Sequence, residues 1–286
     1  MKTGLVLEGG AMRGLFSEGI FDVLLENGIT FDGMVGVSAG AVFGCNFKSK
    51  QIGRALRYNK RYCKDKRYCS FWSWLFTGNL FGADFCYRKL PLELDVFDIE
   101  TFENNPLEFH LVCTDTESGS ACYKQCSKVD DRCFEYMRAS ASMPLVSRMV
   151  GIDGRKYLDG AIADSIPLKY FESVGFERNI VILTQCENYV KKTSSLQWLL
   201  NLIYRKYPSF VRAMQNRADM YNAQVKYIEQ QAKKGKILLL RPAEPLPVSR
   251  VCTDPALLQQ TYDIGRKLAL AELDNIKAFL YGAING

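Results

Sequence analysis

Apolar positions in the first 48 residues follow two alternating patterns. Residues 3–7 are a short apolar run of strand length, and residues 13–26 carry Leu15, Ile20, Phe21, Leu24 and Leu25 at roughly helical spacing. Asn27-Gly28 supplies a stop, because glycine just past the last turn ends a helix at low steric cost. Residues 34–37 predict a second strand and residues 39–47 a second helix. Strand, helix, strand, helix in that order opens a parallel α/β sheet. Further along, residues 107–113 read as a strand that Ser118-Gly119 turns into residues 121–126. A helix is expected over 132–140, ending before Met143-Pro144. Residues 147–150 and 156–158 flank Asp153-Gly154, a hairpin signal. Residues 179–184 form another apolar run. Past residue 190 the pattern turns mainly helical, with a last strand at 236–240, a break at 242–247 and one final helix over 255–280. Residues 4–170 and a mainly helical extension, 171–286, are expected to pack as one globule.

Composition changes this picture little. At 286 residues and 48% hydrophobic content the chain can bury a core without disulfides or a structural metal. Its ten cysteines contain no C-x-x-C, and the single histidine, His110, makes no zinc-site spacing with them. Reduced thiols and no metal are therefore expected. No signal peptide is legible at the start, and no apolar stretch approaches the ~20 residues of a membrane span. A soluble, cytoplasmic protein is the expectation. The net charge of +6 is local: residues 48–67 hold nine bases and one acid, so the rest of the chain is slightly acidic.

Gly36-Val37-Ser38-Ala39-Gly40 has the form G-x-S-x-G, where one expected strand gives way to a helix. A nucleophile elbow needs that position, since the sharp turn lifts the Ser38 hydroxyl above the sheet and small neighbours relieve crowding. Taken alone, the pentapeptide also describes an ordinary glycine-rich turn with a serine N-cap. Gly9-Gly10-Ala11-Met12-Arg13-Gly14 likewise follows a strand and opens a helix, leaving backbone N–H groups free for an anion. In an acyl hydrolase such a loop is an oxyanion hole. A dinucleotide loop would want an acid about 20 residues on, at the end of the second strand. Asp32 lies before that strand, so no cofactor is expected. A serine nucleophile needs a base. His110 sits mid-strand and precedes the best acid, the wrong order for a Ser-Asp-His triad. Either the chain is no serine hydrolase or its base is a carboxylate, and Asp159, followed by Gly160 and Ala161, is the candidate.

Read together, G-G-x-x-R-G, G-x-S-x-G and D-G-A in this order resemble the patatin-like phospholipase family. Ala139-Ser140-Ala141-Ser142-Met143-Pro144 and Ile166-Pro167 resemble it too, and Leu240-Arg241-Pro242 with Thr253-Asp254-Pro255 is similar to its bacterial cytoplasmic members. The family usually has glycine where this chain has Ala11. The resemblance implies a three-layer α/β/α fold with a mainly parallel central sheet and a helical C-terminal cover. It also implies a Ser38–Asp159 dyad without histidine, cleaving fatty-acyl esters of lipids through an acyl-enzyme. The loop of residues 9–14 would hold the oxyanion, and Arg13 would shape that loop. The alternative on the same fold is a catalytically silent lipid-binding or regulatory protein.

The partner is then a lipid. Arg54, Arg57, Arg61 and Lys64 recur at three- and four-residue spacing, so a helix would display them as one basic stripe. Trp72 and Trp74 follow in an aromatic run, a composition suited to an anionic membrane surface. No nucleic-acid motif accompanies the charge, and no nucleic-acid partner is expected.

Overall fold

A computed structural model describes residues 1–282. Strands β1 (Lys2–Leu7), β2 (Gly33–Val37), β3 (Glu108–Asp115), β4 (Ala121–Gln125), β5 (Val150–Ile152), β6 (Arg155–Asp159), β7 (Phe176–Ile182) and β8 (Ile237–Leu240) form one sheet. The run β3-β2-β1-β7-β8 is parallel throughout. Its strands read as continuous apolar runs because both faces are covered. Leu5, Leu7, Met34, Ile180 and Ile182 enter the core on one face, and Val6, Val35, Val37 and Val181 enter the core on the other.

The helices are α1 (Gly14–Glu26), α2 (Ala39–Lys48), α3 (Arg54–Tyr62), α4 (Phe71–Thr77), α5 (Ile99–Asn104), α6 (Asp131–Ser140), α7 (Leu168–Ser173), α8 (Gln197–Ile203), α9 (Pro208–Lys233), α10 (Pro255–Ala271) and α11 (Leu273–Tyr281). The first core holds side chains of α1, α2, α6 and α10, and the second those of α7 and α9, giving the α/β/α layering. The single helix expected at the C-terminus is two, broken at Glu272. The hairpin strand expected from residue 147 begins at Val150, with Asp153 and Gly154 both at positive φ. That is the backbone a two-residue hairpin turn requires.

The edge of β3 has an unusual division. Val112 pairs with Tyr123 of β4 on one side and Val37 of β2 on the other. Cys113, one residue on, pairs with Cys122 of β4 and with Asp159 of β6. Thus β2 and β6 share the same edge of β3 and meet head to head across the Val112–Cys113 step. Each strand ends where the other ends, with Ser38 next along one chain and Asp159 closing the other.

The basic stripe does not form as expected. Arg54 is buried, its guanidinium bonded to the Asn46 side chain (3.0 Å) and paired with Asp95 (3.3 Å). Arg57 pairs with the same carboxylate at 2.7 Å, and Lys64 lies beyond the end of α3. The spacing was helical, but α3 turns its first arginine inward to meet a buried acid that the sequence does not mark.

Helices α1 and α10 cross at backbone contact. A Cβ on Gly19 would lie 2.1 Å from the Tyr262 carbonyl oxygen, and one on Gly265 2.0 Å from that of Phe16. Neither obstacle is a flexible side chain, so an added methyl must push the helices apart. Gly265→Ala is expected to cost about 1–3 kcal/mol, read as a lower urea midpoint; an unchanged midpoint would contradict this packing.

Candidate active site

Val37 ends β2 and Ala39 begins α2, so the chain reverses within Ser38, which takes φ 55° and ψ −121°. A non-glycine residue there carries about 1–3 kcal/mol of backbone strain, which the surrounding packing must hold. The glycines on either side make the turn possible by close approach. A Cβ on Gly36 would lie 2.3 Å from the Gly40 carbonyl oxygen, and one on Gly40 2.8 Å from that of Leu7. The Ser38 N–H donates to the Ser140 hydroxyl at 3.0 Å, a buried bond tying the elbow to the end of α6. Ser140 lies in the Ala-Ser-Ala-Ser run, but the sequence gives no sign of this role.

Asp159 faces Ser38 across the head-to-head junction. The Ser38 hydroxyl donates to Asp159 Oδ2 at 2.8 Å, and the Ala161 N–H donates to Oδ1 at 2.8 Å. Gly160 packs where a Cβ would meet the Val112 carbonyl oxygen at 2.1 Å. The carboxyl is buried, and that burial raises its pKa above the ordinary range. Arg217, the Ala161 N–H and the Ser38 hydroxyl pull it back. Arg217 comes from α9, and its Nε donates to the Ala161 carbonyl at 2.8 Å. Nothing in the local sequence links Arg217 to Asp159, because the contact is made through the tertiary fold.

Residues 9–14 pass beside the elbow: a Cβ on Gly9 would lie 2.9 Å from Ser38 Cβ. Ala11 has φ 50°, so alanine adopts a left-handed backbone here. The N–H groups of Arg13 and Gly14 are spent within the loop, on the carbonyls of Gly10 and Ala11. Those of Gly9, Gly10, Ala11 and Met12 have no acceptor among the described residues. Only the first four of the six residues expected to supply donors therefore have free N–H groups. Ala39 adds the positive N-terminal end of α2 behind Ser38.

Ser38 lies where two cavities meet. One, of about 120 Å³, is lined largely by apolar groups, among them Val42, Phe43, Tyr58, Phe81, Phe97 and Met137. The other, of about 540 Å³, holds Asp159, Glu8, Arg13, Lys191, Arg217 and Arg250. Ala11, Ser38 and Met143 line both. His110 lines neither. It is buried against Phe171 and Phe176, with Nδ1 2.9 Å from the Tyr170 hydroxyl, and burial lowers its pKa. Among the described residues no group of three or more His, Cys, Asp or Glu could hold a metal ion.

A family model for patatin-like phospholipases matches residues 5–172, and one for a domain of unknown function matches residues 207–281. The uncharacterized protein YjjU of Escherichia coli is 27% identical over 93% of this chain and 75% of its own length. The lysophospholipase NTE1 of Scheffersomyces stipitis is 25% identical over 93% of this chain, which spans only 18% of that protein. An uncharacterized NTE family protein of Mycobacterium bovis is 24% identical over 63% of the chain and 48% of its own length. Among solved structures, VipD from Legionella pneumophila aligns over 96% of this chain and 67% of its own, with TM-score 0.45 and 11% identity. With more than half of its length matched by the family model, this chain belongs to the patatin-like phospholipase family.

Proposed function

We propose that the protein is a serine acyl hydrolase that cleaves fatty-acyl esters of lipids through a Ser38–Asp159 dyad. The observation that carries this reading is the 2.8 Å hydrogen bond from the Ser38 hydroxyl to a buried carboxylate, made at the meeting point of an apolar and a polar cavity. Asp159 takes the hydroxyl proton as Ser38 Oγ attacks the ester carbonyl. Negative charge builds on the carbonyl oxygen, and the free N–H groups of residues 9–12 stabilise it. The alcohol leaves with the proton, and the acyl chain stays on Ser38 with its tail in the apolar cavity. Water, deprotonated by the same carboxylate, then releases the fatty acid. The Scheffersomyces stipitis relative is named a lysophospholipase, which supports a lipid ester as the substrate.

Ser38→Ala and Asp159→Asn are each expected to lower kcat/KM on a neutral short-chain ester by about 10⁴ or more. The double variant should fall no further, whereas His110→Gln should keep activity. Additive losses would contradict the dyad, and a silent lipid binder would give no turnover in the parent protein. Because burial raises the folded-state pKa of Asp159, the fold loses stability as pH rises from the ordinary carboxyl range through that raised pKa. Asp159→Asn is therefore expected to unfold at neutral pH no earlier than the parent.

The base must be ionised, so activity is lost as pH falls through the Asp159 pKa. Arg217 holds that pKa down. Arg217→Gln should move the acid limb of kcat/KM to higher pH, and Arg217→Lys should move it less. An unmoved limb would show that another group sets it.

Access to a bilayer is proposed through α4. No helix among the described residues is long and apolar enough to cross a membrane. Yet α4 buries none of its residues, with Trp72 55% and Phe76 75% exposed and stacked on each other. It is tied to the wall of the larger cavity, where Trp74 Nε1 donates at 2.9 Å to the carbonyl of Leu145, a lining residue. That bond makes Trp74 a structural residue and leaves Trp72 and Phe76 to enter the lipid interface. Arg61 and Lys64 remain exposed to meet anionic headgroups, while Arg54 and Arg57 are taken by Asp95. Trp72→Ala with Phe76→Ala should reduce hydrolysis in anionic vesicles far more than hydrolysis of a soluble short-chain ester. Equal losses would mean that α4 shapes the site instead.

A further inference from the structure

The larger cavity carries more positive charge than the protein neutralises. Its walls hold Arg13, Lys191, Arg217 and Arg250 with the exposed Lys192 beside them, and Glu8 and Asp159 are the carboxylates facing them. Both carboxylates are already engaged. Glu8 is buried and accepts the Thr184 N–H at 2.6 Å on one oxygen and the Tyr221 hydroxyl at 2.9 Å on the other. Asp159 accepts Ser38 and Ala161. Among the described residues none of these five cations is within 4.0 Å of a carboxylate oxygen. Arg13 Nε is buried with no hydrogen-bond partner, and Arg217 uses only its Nε.

The cluster is held in place. The Lys191 N–H donates to Asn222 Oδ1 at 2.9 Å and the Asn222 amide returns a bond to the Lys191 carbonyl at 3.0 Å, fixing the segment to α9. Arg217 and Tyr221 lie one turn apart on the same helix. The Lys191 ammonium sits 4.2 Å from the centre of the Tyr221 ring and 5.8 Å from that of Tyr189. Burial and the positive field of Arg217, Arg250 and Arg13 push its pKa down to about 8, against the opposing pull of Glu8. Such a concentration of positive charge, with only Glu8 and Asp159 against it, favours an anionic ligand.

We infer that this cavity is a recognition site for an anionic, phosphate-bearing headgroup, and that the lipid substrate carries net negative charge. The inference rests on the acyl-hydrolase reading, in which Ser38 Oγ attacks an ester whose tail occupies the apolar cavity and whose head occupies this one. A phosphate offers several oxygens to the cations lining this cavity, and guanidinium groups bind it in pairs of parallel hydrogen bonds. A phosphocholine head would bring an additional cation. The cavity's two aromatic rings, Tyr189 and Tyr221, are already covered by Lys191 and leave no cage for it.

The test is calorimetric titration of Ser38→Ala protein with sn-glycerol 3-phosphate, glycerophosphocholine and inorganic phosphate. Glycerol 3-phosphate should bind about tenfold or more tightly than either of the others, and Lys191→Gln or Arg250→Gln, each in that background, should weaken it about tenfold. Absence of saturable binding, equal binding of glycerophosphocholine, or indifference to both substitutions would overturn the assignment. Equal binding of inorganic phosphate would overturn the headgroup and leave a free-phosphate site. Because the titration needs no turnover, its failure is separate from failure of the hydrolase reading, which hydrolysis of a neutral ester by the unmodified protein reports.

Discussion

On one edge of β3 the ladder to β2 stops at Val112 and the ladder to β6 starts at Cys113. That one-residue exchange of partners brings the end of a parallel strand against the end of an antiparallel one. It sets Ser38 and Asp159 within hydrogen-bonding distance although 121 residues separate them. The other features of the site depend on it. The elbow reverses sharply because β6 occupies the space ahead of β2, and Gly36 and Gly40 must be glycine because the reversal presses backbone on backbone. The Asp159 N–H is spent on the Ser142 carbonyl at 2.8 Å, so the segment after α6 is drawn into the same junction.

Electrostatics follow from the same geometry. A carboxylate at the inner end of a strand is desolvated, and its ionised form would be costly if nothing opposed the burial. Arg217 reaches it from α9, as the Ala161 N–H does from within its own turn. The cation that steadies the proposed base also belongs to the positively charged cavity. One cluster is thus assigned two tasks, keeping Asp159 ionised and attracting the substrate's head. The smaller cavity on the other side of Ser38 is lined mainly by apolar side chains, with Arg54 and Arg138 also in its wall and no acid.

The opening of the sheet was legible in the sequence because strands covered on both faces are short apolar runs broken by glycine. The three glycine-marked motifs were legible because each meets a local demand for tight backbone. Their convergence was readable only through family resemblance, since nothing local says that residue 159 returns to residue 38. What stayed hidden was tertiary. Lys191, Arg217 and Arg250 carry no motif, and they matter because α9 and the loops beside it fold over the site. Arg54 misled for the same reason: its spacing put it on an exposed stripe, whereas Asp95, 41 residues later, draws it into the interior. Glu272 splits the last helix with no proline or glycine to mark the break. The spent N–H groups of Arg13 and Gly14 depend on a tight turn that composition does not show.

The central claim is that Asp159 alone activates Ser38. Its most direct measurement is covalent labelling with a fluorophosphonate, followed by peptide mapping in the mass spectrometer. One modified residue, Ser38, is expected in the parent protein and in His110→Gln, with labelling slowed by about a hundredfold or more in Asp159→Asn, the scale of a general-base contribution. Rapid labelling of Ser38 in Asp159→Asn, or labelling lost in His110→Gln while the protein stays folded, would contradict it.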